Sequence, residues 1–143
     1  MIVEYAQEYY HEVIDEIVPM LSVHGDEVED YTVVPVLEVY EAGDSKDIFA
    51  IYTMRHEGKL VGYAGFWKLD NPHRSGSVTA SNDLIYVHPD YRGALALKFF
   101  EWIEQNILTD VIIYTFKTMH DHPELMEHLE MKFTEKVYKK VLV

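Results

Sequence analysis

The run Asp83-Leu84-Ile85-Tyr86-Val87-His88-Pro89-Asp90-Tyr91-Arg92-Gly93, with Ala94-Leu95-Ala96-Leu97-Lys98 after it, holds the residues best placed for chemistry. Leu84 to Val87 is apolar and reads as a strand, and Pro89 ends it because proline has no N–H to give a ladder. Beyond Arg92-Gly93 a helical pattern puts Ala96, Phe99, Phe100 and Ile103 on one face. A strand that feeds a helix through a tight glycine-bearing turn is an anion-binding device. The first-turn N–H groups have no intrahelical partner and point outward, so they can hold a phosphate. Arg92 and Lys98 add positive charge to those dipoles.

Other chemistries are poorly supported. His120-Asp121-His122 places two histidines around an acid, but no third ligand stands at a fixed spacing. A loop that caps a helix is the better reading there, and no metal is expected. His73 and Arg74 read as surface residues of a polar loop. No Ser-His-Asp order, nucleophile elbow or Walker loop appears. The chain has no cysteine, which rules out a thiol nucleophile and a thiolate metal site. Tyr5, Tyr9, Tyr10, Phe99, Phe100 and Trp102 read as core and interface, because no basic groove accompanies them.

The elements that must position these residues can be laid out in order. Met1–Ala6 reads as a short strand. Tyr10, Val13, Ile14, Ile17 and Val18 recur at helical spacing from Gln7 to about Met20, where Pro19 closes the segment. A second short helix is expected from about Val34 to Glu41, ended by Gly43. Asp47–Met54 alternates as a strand, Glu57-Gly58 reverses the chain, and Lys59–Leu69 is its hairpin partner, with Gly62 and Gly65 where side chains are unwelcome. Val78–Val87 is the central strand. A helix follows to near Asn106, then a buried strand at Asp110–Phe116, a short helix from Pro123 to about Leu129, and a final strand at Thr134–Leu142. The order β-α-α-β-β-β-α-β-α-β predicts an α+β fold: a mixed, mostly antiparallel twisted sheet with helices on both faces.

The bulk properties fit one domain over residues 1–143, with apolar residues at 48 % of the chain. Against 25 acidic residues stand only 12 basic ones, a net charge of −13. A nucleic-acid or anionic-membrane partner needs clustered Lys and Arg, so neither is expected. An acidic surface favours a cationic amine or a basic protein. No apolar run is long enough to span a membrane, and no basic secretion signal opens the chain. With cysteine absent, a cytoplasmic location is expected. The aromatic content permits a homodimer.

Val87-His88-Pro89-Asp90-Tyr91-Arg92-Gly93 resembles the signature of the GNAT family of N-acetyltransferases, whose strand, loop and helix grip the pyrophosphate of acetyl-coenzyme A. The usual pattern is Arg or Gln, two residues, Gly, one residue, then Gly or Ala. Arg92 takes the first place here, and Leu95 and Leu97 stand where the small residues are customary. Leu60-Val61-Gly62-Tyr63-Ala64-Gly65-Phe66, the start at Asn82-Asp83 and the stretch Met126–Tyr138 fall in the family's order and spacing. The likeness is nearest to small acetyltransferase-like proteins encoded by bacteriophages, which would place the protein in a host cytoplasm.

The resemblance implies acetyl-coenzyme A as cofactor, with Ile85, Tyr86 and Val87 lining the pantetheine arm. Arg92, Gly93, Ala94, Leu95, Ala96, Leu97 and Lys98 would take the pyrophosphate. Acetyl transfer to an amine requires aligned reactants, a base for the amine proton and a hydrogen bond to the thioester oxygen. Family members with a carboxylate base on the central strand place it at the equivalent of Ser81. Asp83 lies two residues on, and by the period of two shares that strand face. Partly buried between apolar strands, it would have a raised pKa that suits a base. His24 and Glu27 are alternatives, matching a His-x-x-acid pattern of the phage-encoded look-alikes. The tyrosine that serves as family acid falls on Met126, which has no proton to give. Tyr138, Tyr86 or water are the substitutes, and Glu130 stands in place of a family glycine.

Two functions follow. One is acetyl-coenzyme A-dependent transfer to a primary amine, on a small molecule or protein, by direct attack in a ternary complex. The other keeps the fold as a non-catalytic acidic interaction protein that binds a host or virion partner, favoured by Leu95, Leu97, Met126, Glu130 and the negative charge.

Overall fold

Glu57 and Gly58 both hold positive φ, 51° and 81°. That is the mirror-image two-residue turn whose twist suits a hairpin, and it joins β2 (Phe49–His56) to β3 (Lys59–Asp70). The computed structural model describes residues 1–28, 34–107, 111, 113–116 and 122–142, with only the backbone for 22–28. In it β1 (Glu4–Glu8) pairs antiparallel with β2, β3 with β4 (Val78–Val87), and β4 parallel with β5 (Ile113–Thr115). The sheet order is β1-β2-β3-β4-β5. The helices are α1 (Tyr10–Val28), α2 (Leu37–Ser45), α3 (Ala94–Ile107) and α4 (Pro123–His128).

The sheet has a core on each face. Ala50, Tyr52, Ala64, Phe66, Ala80 and Val87 pack on Phe99, Phe100, Ile103 and Ile107 of α3. On the other face Phe49, Ile51, Leu60 and Tyr63 pack on Val13, Ile17 and Leu21 of α1, with Tyr40 of α2 alongside. The expected mixed α+β sheet with helices on both faces is therefore what forms.

Several boundaries differ from the sequence reading, each for a packing reason. Pro19 lies inside α1 rather than closing it. Val13, Ile17 and Leu21 recur every four residues, and burying that stripe carries the helix past one lost hydrogen bond. Likewise α2 runs through Gly43. A Cβ there would come within 2.6 Å of the Trp67 ring and 2.9 Å of Phe49 Cβ, so the glycine permits close helix–sheet approach. Gly65 does the same against Phe49, where a Cβ would meet the ring at 2.6 Å.

The expected strand at Thr134–Leu142 is not formed, and residues 131–142 carry no regular structure. Phe133, Val137 and Val141 fall on one side of an extended chain, Tyr138 and Leu142 on the other. The segment therefore offers no single apolar face to bury, and all five are exposed.

Candidate functional site

The central strand carries a defect at the predicted base. Gly65 of β3 is opposite Leu84 and Phe66 is opposite Asn82, so Asp83 has no partner in the register. This β-bulge breaks the period of two. Before it Ala80 faces the α3 core; after it Ile85 and Val87 do, while Leu84 and Tyr86 turn toward α1 and α2. Asp83 points to the α2 face, where the Tyr40 hydroxyl donates to its Oδ2 at 2.8 Å. Contrary to expectation, Asp83 is exposed rather than closed between apolar strands. Burial, then the hydrogen bond to Asp83, pushes the Tyr40 phenol up, so it stays a proton donor to the carboxylate.

Beside the bulge the described pairing of β4 with β5 stops. Pairing of β4 with β5 covers Thr79–Ile113, Ala80–Tyr114 and Ser81–Thr115, and among the described residues goes no further. Among the described residues no strand is paired with the outer edge of β4 beyond Ser81, the stretch that carries Ile85 and Val87. Backbone N–H and C=O groups on such an edge accept an extended amide-bearing ligand as they would a neighbouring strand.

The turn after β4 is held from three sides. His88 N–H donates to the Val61 carbonyl at 2.8 Å. The Tyr91 hydroxyl meets His56 Nδ1 at 2.8 Å, and the two rings lie 5.5 Å apart. Arg92 Nε donates to the Val87 carbonyl at 2.8 Å. Gly93 has φ 81°, and a Cβ built on it would meet nothing within 4 Å, so the approach is open. The first i→i−4 bond of α3 runs from Leu97 N–H to the Gly93 carbonyl. That leaves the N–H groups of Ala94, Leu95 and Ala96 at the open end of the helix.

Leu95 does not crowd this end. It packs with Ala96 against the α3 core, and its carbonyl accepts from the Tyr5 hydroxyl at 3.1 Å. Leu97 is half-buried, and Arg92 and Lys98 are exposed. These residues fit a diphosphate: free amides, a positive dipole end and a guanidinium, with no side chain over Gly93.

A family model for GNAT acetyltransferases matches residues 7–94. The chain belongs to the GNAT acetyltransferase family. Solved structures share the GNAT fold at low identity. A predicted acetyltransferase with acetyl-CoA from Clostridium acetobutylicum superposes with TM-score 0.77 at 9 % identity, covering 99 % of this chain and 97 % of its own. The ribosomal-protein-alanine N-acetyltransferase from Brucella melitensis biovar Abortus 2308 gives 0.67 at 18 %, covering 99 % and 98 %. An aminoglycoside acetyltransferase from an uncultured soil metagenomic sample, in complex with sisomicin, gives 0.70 at 11 %, covering 97 % and 96 %. No curated protein matches the sequence.

The remaining predicted residues of this GNAT domain are only partly described. His24 and Glu27 lie in the last turns of α1, and their side chains are outside the described residues, as are His120 and Asp121. His122 stands at the N-cap of α4. Among the described residues no group of three His, Cys, Asp or Glu could hold a metal. Tyr138 is 87 % exposed on the irregular tail, and the hydrogen bonds and ring contacts of the described site residues do not reach it. No helix of the described residues is long and apolar enough to cross a membrane.

Sequence reading missed Tyr40, which lies 43 positions from Asp83 with no motif to join them. It also missed Tyr63, fully buried on the α1 face with its ring 5.7 Å from that of Tyr86. The Tyr63 hydroxyl has no hydrogen-bond partner among the described residues, and burial pushes its pKa up.

Proposed function

We propose that this GNAT acyltransferase moves an acetyl group to a primary amine by direct attack within a ternary complex. Acetyl-coenzyme A supplies the acetyl group as a thioester. The observation that carries the reading is the coincidence, at the bulge, of the exposed Asp83 carboxylate with a β4 edge that no described strand pairs beyond Ser81. The edge leads to the open end of α3 at Gly93, so a diphosphate held there sends its extended arm along Ile85, Tyr86 and Val87. Ala94, Leu95, Ala96 and Leu97 frame the anion site, and Arg92 and Lys98 flank it.

Asp83 acts as the base. It draws the proton from the acceptor nitrogen as the C–N bond forms and the C–S bond breaks. Tyr40 fixes the carboxylate by holding one oxygen and leaving the other to the amine. Met126, in the place of the family acid, has no proton to give, so the departing thiolate takes one from solvent. His24, Glu27 and Tyr138 stay in the proposal as secondary candidates for proton transfer. A cytoplasmic location and a bacteriophage origin belong to it too, supported by the lack of cysteine and by sequence resemblance.

The test is simple because the chain has no thiol of its own. A thiol-reactive dye reads released coenzyme A alone when protein, acetyl-coenzyme A and an amine panel are mixed. Thermal melts with acetyl-coenzyme A give binding independently, with about 4 kcal/mol of stabilisation at a thousandfold excess over Kd. Stabilisation with dye turnover is expected. Stabilisation without turnover on any amine would mark a degenerate enzyme. No stabilisation would leave the acidic interaction protein, which the net charge of −13 and Met126 favour.

A further inference from the structure

A cavity of about 290 Å³ opens on the α2 face beside the bulge, lined by Trp67, Leu69, Asp70, Asn71, Pro72, Thr79 and Ser81. Its floor is made of two cross-strand pairs, Trp67 with Ser81 and Leu69 with Thr79. Its far end is the loop after β3. That loop is fixed by Asn71 N–H to the Ser77 carbonyl at 2.9 Å, Asn71 Nδ2 to Thr79 Oγ1 at 3.2 Å, and His73 N–H to Asn71 Oδ1 at 2.9 Å. Trp67 is itself wedged, its ring 5.9 Å from Tyr40 and 4.6 Å from Phe49. The cavity is a shallow groove open to solvent, with the hydrogen-bonded loop after β3 at its far end. Its volume is near the lower bound, about 300 Å³, for small-molecule sites.

The near end meets the proposed reaction centre. Ser81 shares its face with Asp83 two residues on, a rise of about 6–7 Å along a strand, and the described pairing of β4 with β5 ends at Ser81. We propose that this cavity holds the body of the acceptor, and that the acceptor is a monoamine whose nitrogen sits on a short spacer from an aromatic or compact aliphatic group. The inference rests on the acetyl-transfer reading above. Trp67, Leu69 and Pro72 present apolar surface that an uncharged body covers favourably. A polycation or aminoglycoside would set charge and hydroxyls against that surface. Among the described residues Asp70 is the cavity's one carboxylate, and it is exposed. Pairing a second ammonium there gains little, because solvent screens it. The amine itself is drawn in by Asp83 and by the acidic surface.

The test uses the unmodified chain with 2-phenylethylamine, 1,4-diaminobutane and kanamycin. Turnover is read by coenzyme A release, and binding by saturation-transfer NMR of each amine. The expected result is a kcat/KM for 2-phenylethylamine about tenfold or more above the others. Leu69→Arg, at an exposed position, should raise its KM about tenfold and leave that for acetyl-coenzyme A unchanged. Preference for diaminobutane or kanamycin would overturn the acceptor class while acetyl transfer stands. Saturation transfer to the phenyl protons, lost in Leu69→Arg but with no turnover, would support the cavity and overturn the transfer reading. No saturation transfer to 2-phenylethylamine, with or without coenzyme A, would overturn the cavity proposal.

Discussion

The hydroxyl of Tyr40, on α2, donates a 2.8 Å hydrogen bond to Oδ2 of Asp83, the residue that the β4 bulge leaves without a partner. The bond ties a helix of one face to the irregular point of the central strand. It uses one carboxylate oxygen, Oδ2. Tyr40 is held in turn by Phe49 and Trp67, at ring distances of 5.1 and 5.9 Å.

If Asp83 is the base, Asp83→Asn should lower kcat about 10²–10⁴-fold and remove the rising limb of the rate–pH profile. Tyr40→Phe should cost about fivefold in kcat, the worth of one ordinary hydrogen bond, and keep that limb. KM for acetyl-coenzyme A should not move in either variant. An Asp83→Asn enzyme with an unaltered pH profile would take Asp83 out of the role.

The anion site gives a second prediction. Gly93→Ala forces a Cβ onto a residue at φ 81°, which strains the turn by about 1 kcal/mol although space above it is open. Arg92→Ala removes both the guanidinium and its tie to the Val87 carbonyl. It should weaken coenzyme A binding about tenfold at low ionic strength and less at high, because an exposed charge is screened. Calorimetry at two salt concentrations checks this. Affinity unchanged in both variants would put the diphosphate elsewhere.

What could be read in advance was whatever short-range chemistry dictates. Val78–Val87 is bounded by a polar loop and by Pro89, and the strand has those limits. Glu57-Gly58 and Gly93 mark tight turns in the sequence, and all three residues take positive φ. Packing decided the rest. Pro19 looked like a helix end, yet burial of Val13, Ile17 and Leu21 runs past it. Gly43 looked like a stop, but it is the point where Trp67 touches α2. The bulge at Asp83 has no local signature, because register belongs to the pairing with β3 and not to β4 alone. For the same reason neither Tyr40 nor the Trp67 cavity could be found from spacing.

Arg55 gives a stability prediction. Its guanidinium donates to Glu8 at 2.9 and 3.0 Å, to Glu16 at 2.9 and 2.7 Å, and to the Gly58 carbonyl at 2.8 Å. Thr53 Oγ1 also donates to Glu8. β1, α1, β2 and the hairpin turn are thereby joined at one side chain. Arg55→Met should cost about 3 kcal/mol near neutral pH, because Glu8, at 16 % exposure, loses its arginine partner. The arginine holds the Glu16 carboxyl below its ordinary range. That stability is present above the ordinary Glu value and is lost as pH falls through the lowered one. Urea melts across the acid range should therefore show a shallower acid loss in Arg55→Met than in the native chain, and parallel curves would remove Glu16 from the account.

The last prediction concerns Glu130, at the end of α4. Met131 N–H bonds to the Met126 carbonyl at 2.9 Å and Glu130 N–H to that of Glu127 at 3.1 Å, the paired closure of a Schellman cap. That cap requires a left-handed residue, and Glu130 has φ 55°. A glycine is customary at this place in the resembling family, and the backbone explains why. Glu130→Gly should stabilise the fold by about 1 kcal/mol through relief of Cβ strain. A second contribution depends on pH. Burial, then the charges of Glu130 and Glu101, push the Glu104 carboxyl up, so the folded chain binds a proton there that the unfolded chain has released. Native stability therefore falls as pH rises through the window just above the ordinary Glu range. Without Glu130 that fall should shrink, making the gain larger near neutrality than in acid. Glu130→Asn, which tolerates left-handed φ and carries no charge, should reproduce the pH-dependent part and less of the constant part. A gain of equal size at every pH would assign the whole effect to the backbone.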